Sequence, residues 1–207
     1  MTGAVVDGSI GVRTLGLLLA AGAGRRMGTP KALLRDHTGT PFAERTIGVL
    51  LDGGCDSVLM VTGASADEAA GILVETGWAD DAAVATVLAD DWDEGMGASL
   101  RTGLSAAAET DASCVLVSLV DLPDVGATVV RRLLDRLPCE PQVLGRASYD
   151  GVPGHPVLIG RDHWAGVLDA ARGDRGARDY LETHRPVLVE CGDLATGRDV
   201  DRPDQLR

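Results

Sequence analysis

The chain has 207 residues, 45% of them hydrophobic, which is enough to bury a sizeable core, and residues 1–207 are expected to form one domain behind a short leader at 1–12. Acidic side chains outnumber basic ones by 31 to 19, and the resulting net charge of -12 argues against nucleic acid or an anionic membrane surface as partner. No apolar run reaches the roughly 18 residues of a membrane span and the first residues lack a signal-peptide core, so a cytoplasmic protein is expected.

Strand-like apolar runs start with Thr14 to Ala20 and continue with Ser57 to Thr62, Ala83 to Ala89 and Cys114 to Val120. Shorter ones follow at Gln142 to Leu144, Pro156 to Ile159 and Val187 to Glu190. Helical spacing or Ala-rich composition marks Ala43 to Leu51, Ala66 to Glu75, Ala98 to Glu109 and Ala127 to Leu137. This βαβ rhythm, with continuous apolar strands such as CVLVSLV that need cover on both faces, predicts a three-layer α/β/α sandwich with a Rossmann-like, mostly parallel sheet. From about Leu137 to Gly160, Gly and Pro interrupt short strands, as in an insertion or a hairpin over the sheet. Cys55, Cys114, Cys139 and Cys191 form no CxxC and have no His at ligand spacing, so they read as reduced core thiols.

Ligands of open α/β sheets bind outside the carboxyl ends of the strands. The first strand ends in AAGAGRRMG, the strand from Cys114 ends in DLPD, and the helix near Ala98 follows DEGMG; these three segments should share one rim. Glycine-rich backbone after a first strand exposes N–H groups that can cradle phosphate. Two familiar cradles fail on spacing. Ala32, not Ser or Thr, follows Lys31, which excludes the Walker pattern, and Gly22, Gly24 and Gly28 give GxGxxxG, one residue longer than the dinucleotide fingerprint.

The full string LAAGAGRRMGTPKALL, Leu19 to Leu34, resembles the nucleotidyltransferase signature LAAGxGxRMGxxKxLL of the molybdenum-cofactor, or MobA/MocA-like, nucleotidyltransferases. DEGMGASLRTGL resembles the family's nucleotide-contacting segment, LVSLVDLPDV its metal-binding aspartate, and GVPGHPVLIGRDHW its GHP segment, while GDRGARDYL and DVDRPDQL match the end of the MocA-like subgroup. The resemblance covers nearly the whole chain and implies an Mg²⁺-dependent transfer of a nucleotidyl group from an NTP to a phosphorylated acceptor, with molybdopterin the first choice. LAAG resembles the cytidylyl-transferring form, whereas guanylyl-transferring relatives read LAGG with Asp before the Lys; here Pro30 precedes Lys31. CTP is therefore expected over GTP.

Carried over by position, the resemblance assigns Leu19, Ala20, Ala21, Gly22, Gly24, Gly97 and Ser99 to nucleotide binding. Arg25 and Lys31 become the catalytic cations, Arg25 as a bidentate grip on phosphate and Lys31 as a movable point charge, with Arg26 ranked behind Arg25. Asp121 either holds the metal or caps the next helix; Asp199 is preferred over Asp201 as second metal ligand, and Asp204 reads as a helix-start carboxylate. Gly154, His155 and Pro156 face the acceptor, unless His155 is only a turn residue between prolines. Trp92 and Trp164 either line the crevice or pack in the core, and Ser99 could equally be an ordinary helix N-terminal serine. His37, His163 and His184 form no recognisable constellation and read as surface or structural. Alternatives are GTP as donor, another phosphorylated acceptor, a non-catalytic cofactor chaperone serving a molybdenum-enzyme client, and, more weakly, an oxidoreductase acting on a pigment.

Overall fold

The computed structural model describes residues 13–200. β1 (Thr14–Leu19) is buried at every position, so both of its faces need cover. α1 (Phe42–Gly53), β2 (Ser57–Thr62), α2 (Ala66–Thr76), β3 (Val84–Leu88), α3 (Met96–Ala108), β4 (Cys114–Leu119) and α4 (Ala127–Arg136) follow in alternation. The chain continues through β5 (Leu144–Tyr149), β6 (Val152–Gly160), α5 (Arg161–Ala170), α6 (Arg178–His184) and β7 (Val187–Glu190). The sheet order is β3-β2-β1-β4-β6-β5-β7. β1 to β4 run parallel, β6 is antiparallel to β4 and β5, and β7 is parallel to β5.

Strand alternation sends neighbouring side chains to opposite layers. Leu18, Met60 and Leu116 pack on one face with Ile47 and Leu50 of α1 and Val129 and Leu133 of α4. Leu17, Val61 and Val117 pack on the other with Leu100 and Leu104 of α3, Trp164 and Val167 of α5 and Leu181 of α6. In α1 the buried residues Phe42, Ala43, Thr46, Ile47 and Leu50 recur at helical spacing, which gives the helix one apolar stripe to lay on the sheet. Leu17, Leu18 and Leu116 are fully buried; truncating one of them to alanine would cost roughly 2–5 kcal/mol through lost burial and the cavity left behind.

The chain moves from β1 outward to β3 and then returns to place β4 on the other side of β1. That reversal opens a crevice beyond the carboxyl ends of β1 and β4.

Three expectations are corrected. Of the run at Gln142–Leu144 only Leu144 lies in a strand, which runs Leu144–Tyr149 and whose Gly145, Arg146 and Ser148 hide it from an apolar count. The β5–β6 hairpin lies within the sheet, β6 pairing with β4 from Cys114↔Gly160 to Val117↔Val157, and does not cross over it. The cysteines are not four thiols: Cys114, at the start of β4, and Cys139, after α4, form a disulfide with Cα atoms 5.7 Å apart. Cys55 and Cys191 are free and buried, and burial pushes the Cys55 thiol up to about 12.

Candidate active site

The loop after β1 is shaped by its own backbone. Gly24, at φ +61°, accepts hydrogen bonds from the Met27 and Gly28 amides, each at 2.9 Å. A Cβ at Gly24 would lie 1.8 Å from the Thr29 carbonyl oxygen, so the turn closes only around glycine. The chain then passes through the single helical turn Lys31–Leu33, and Lys31 Nζ comes to 2.6 Å from Asp121 Oδ2. Both side chains are mostly buried, 19% and 14% exposed.

Asp121 lies just beyond β4. Its Oδ1 is buried without a hydrogen-bond partner among the described residues. Burial pushes the Asp121 carboxyl above its ordinary value, against the opposing pull of Lys31, and Asp199 adds to the rise. The Val200 amide donates to the Asp121 carbonyl at 2.9 Å, and Thr196 binds Asp124 through both its amide and its hydroxyl. These bonds fasten the C-terminal segment against the end of β4 and bring Asp199 beside Asp121. Asp121 does not cap α4, whose N-cap is Gly126.

The cleft above these groups has a volume of about 340 Å³. Leu19, Ala20, Ala21, Gly22, Gly24, Arg25, Lys31, Ser99 and Asp121 all line it, so the three segments named from the sequence do share one rim. Arg26 lines it as well. The signature's arginine falls on Arg26, so the ranking of Arg25 above it does not stand. Gly97 is buried beneath the cleft: a Cβ there would meet the Arg172 backbone at 2.8 Å, and close packing accounts for that glycine. Ser99 is buried in the first turn of α3.

Trp92 lines the cleft, whereas Trp164 is core, 3% exposed, with its indole N–H bonded to the Ile159 carbonyl. Arg101 holds the turn at 92–94 by donating to Asp91 and Glu94, both at 2.8 Å, and to the Ala171 carbonyl. The sequence reading singles out no residue of GDRGARDYL, yet Asp174 reaches the cleft wall, as do Met27, Asp93 and Met96. Only the fold brings these positions, spread from 27 to 174, to one cleft, so no local pattern in the sequence marks them.

Gly154, His155 and Pro156 lie on β6, outside that lining but one strand from β4 on the same rim. Tyr149 donates to the His155 carbonyl at 2.6 Å and Arg146 Nε to the Gly154 carbonyl at 3.0 Å. Burial, with a smaller push from Arg146, lowers the His155 imidazole to about 4, so it is neutral at pH 7. His163 and His184 pack around Tyr180, His163 through a 2.8 Å hydrogen bond to its hydroxyl and His184 by stacking on its ring at 3.8 Å, a structural arrangement as read from the sequence. Asp201 and Asp204 lie outside the described residues.

Chemically, the arrangement offers exposed backbone and cations to polyphosphate, and beside them a carboxylate with one spare oxygen. Among the described residues no three His, Cys, Asp or Glu side chains form a metal cage; Mg²⁺ usually needs only one or two carboxylates when phosphate supplies further oxygens.

Residues 16–187 match the model of the MobA-like NTP transferase domain. The chain belongs to that family. It is 37% identical over 202 residues, 92% of this chain and 93% of the other, to a protein of Paenarthrobacter nicotinovorans named nicotine blue oxidoreductase. A nucleotidyl transferase of Methanothermobacter thermautotroptrophicus superposes with a TM-score of 0.76 at 22% identity, covering 94% of each chain. Rv0371c of Mycobacterium tuberculosis H37Rv, in its complex with manganese, superposes with a TM-score of 0.65 at 23% identity, covering 87% of this chain and 88% of that one. At these identities the two structures establish the shared α/β fold. Among the described residues no helix is long and apolar enough to cross a membrane.

Proposed function

We propose that this MobA-like domain, acting as a single cytoplasmic unit, transfers a nucleotidyl group from an NTP, CTP preferred, to the phosphate of a small acceptor, with release of pyrophosphate. Molybdopterin is the first choice of acceptor, and a molybdenum enzyme would then be the client for the product. The observation that carries the reading is the Lys31–Asp121 pair with its orphaned Asp121 Oδ1, set against a glycine loop in one cleft. Nucleotidyl transfer gathers several negative charges at one phosphorus, so catalysis consists mainly of positioning and charge stabilisation. Arg25 and Arg26 would neutralise the polyphosphate from the loop, Lys31 would follow charge to the leaving pyrophosphate, and Ser99 would contact the nucleoside. Asp121 through Oδ1, with Asp199, fits a divalent cation, Mg²⁺ by preference; when bound it would neutralise phosphate oxygens. The manganese complex of the mycobacterial neighbour agrees with a divalent ion. Gly154, His155 and Pro156 would face the acceptor.

Pyrophosphate release measured with each NTP and Mg²⁺, with and without purified molybdopterin, tests this directly. Release with CTP that requires molybdopterin is the expected result; GTP preference would move the protein to the guanylyl branch. A second reading rests on the name of the 37% identical relative: reduction of an aromatic pigment by a nicotinamide dinucleotide held in the same cleft. The GxGxxxG spacing disfavours it. NADPH oxidation in the presence of nicotine blue, without pyrophosphate release from any NTP, would establish it. A chaperone would bind nucleotide with no turnover, a role for which the Lys31–Asp121 pair is not required.

A further inference from the structure

A second concentration of positive charge stands on the rim beside the nucleotide cleft. Arg146 of β5 pairs across the sheet with Val157 of β6, and Val157 belongs to the apolar layer shared with α3, α5 and α6. Cross-strand partners share a face, so Arg146 projects on the side where the cleft lies. Arg178 opens α6, whose Tyr180 and Leu181 pack on that same layer, as does the preceding Ala177. The two guanidiniums are close enough that Arg178 depresses Arg146, after the larger effect of burial.

Neither arginine forms an ion pair with a carboxylate among the described residues. Arg146 uses only Nε, toward the Gly154 carbonyl, which leaves its outer nitrogens for something else. Asp179, beside Arg178 in the chain, is already gripped by Arg175. His155, neutral and partly buried beside Arg146, adds no negative charge. Asp179 feels Arg178 electrostatically but forms its ion pair with Arg175; in a chain of net charge -12, two neighbouring cations that make no ion pair among the described residues, one of them half-buried, are costly unless an anion joins them. A phosphate dianion matches both charges and fills both planar forks, whereas a carboxylate would fill one.

We propose that Arg146 and Arg178 seat the phosphate of the acceptor, one strand away from Asp121. This rests on the nucleotidyl-transfer reading. The seated phosphate oxygen forms a bond to the α-phosphorus of the NTP while the bond from that phosphorus to the bridging oxygen breaks, and the electron pair leaves with pyrophosphate. A phosphate dianion carries no proton on the attacking oxygen, so no general base is needed, and the neutral His155 has none to accept.

The test is a calorimetric titration of inorganic phosphate into the protein already saturated with Mg²⁺ and the non-hydrolysable α,β-methylene analogue of CTP. Arg146→Gln and Arg178→Gln should each weaken phosphate binding about tenfold or more, the scale of a lost charged fork, while Arg146→Lys loses less. Binding of the analogue should stay within about twofold of wild type in all three. Undiminished phosphate binding in both Gln variants overturns the seat. If Arg146→Gln fails to fold, Arg178→Gln, at an exposed position, decides the matter alone. Should the wild type bind no analogue, the nucleotide reading of the cleft falls, while phosphate titrated alone still tests the two arginines.

Discussion

The two ends of the rim handle charge in opposite ways. At the β1–β4 end, Lys31 is already neutralised by Asp121 at 2.6 Å, and glycine removes side chains so that backbone can do the binding. At the β5–β6 end, Arg146 and Arg178 stand together without an ion pair among the described residues. The difference shows how one acidic protein would take the two anionic substrates proposed for it. The first site must give up an internal ion pair and so is suited to a ligand that brings its own cation. The second has no ion pair of its own among the described residues and, on the proposed reading, would take a bare anion.

Breaking the paired end should have the largest effect. Lys31→Ala removes the charge proposed to meet the leaving group and strands Asp121, so pyrophosphate release should fall by about 10²-fold or more; turnover equal to wild type would remove the loop from the chemistry. Asp121→Asn should lower Mg²⁺-dependent release comparably, yet leave thermal stability at pH 7 equal or higher. The sign follows from burial. Asp121 has a raised pKa, so its stabilising contribution belongs to low pH and is lost as pH rises through the folded value, and the ionised carboxylate at pH 7 is a burden that Asn lacks. A marked drop in melting temperature would show instead that the ion pair holds the fold together.

Gly24→Ala sharpens the contrast in backbone use. The new Cβ would strike the Thr29 carbonyl, so calorimetry should show nucleotide binding weakened by about tenfold or more, with little change in melting, because the loop is outside the core. The smallest effect is expected at the other end. The His155 imidazole is held at about 4, against 6.5 unperturbed, so it contributes stability that is present above 6.5 and lost as pH falls toward 4. Melting curves of His155→Gln across that window should slope less steeply than those of wild type; an identical slope would mean that His155 is solvated and not seated against Arg146.

The same contrast governs how far the molecule could be read from its sequence. β1 and β4 announce themselves because continuous apolar residues leave no alternative to a covered sheet, and the loop between Leu19 and Leu34 carries its chemistry in consecutive letters. β5 was misplaced because its buried positions include glycine, serine and alanine, which look like loop. The Lys31–Asp121 contact joins residues ninety positions apart, and sequence could name both without showing that they touch. Arg146 and Arg178 were invisible for the same reason: each is an ordinary arginine until the register of β5 against β6 and the packing of α6 set them on one face. The Cys114–Cys139 bond likewise depends on where α4 ends relative to the start of β4.

The close packing of Gly97 against the Arg172 backbone gives the segment after α5 a mechanical role. It runs from that contact through Asp174, on the nucleotide cleft, to Arg178 four positions later. One short piece of chain therefore carries a residue at each of the two proposed sites and is pinned at its base to the helix that bears Ser99. On the proposed reading, a shift of this support on binding one substrate would be felt at the other site, and any affinity that the nucleotide gained from the acceptor would be returned to the acceptor in equal measure.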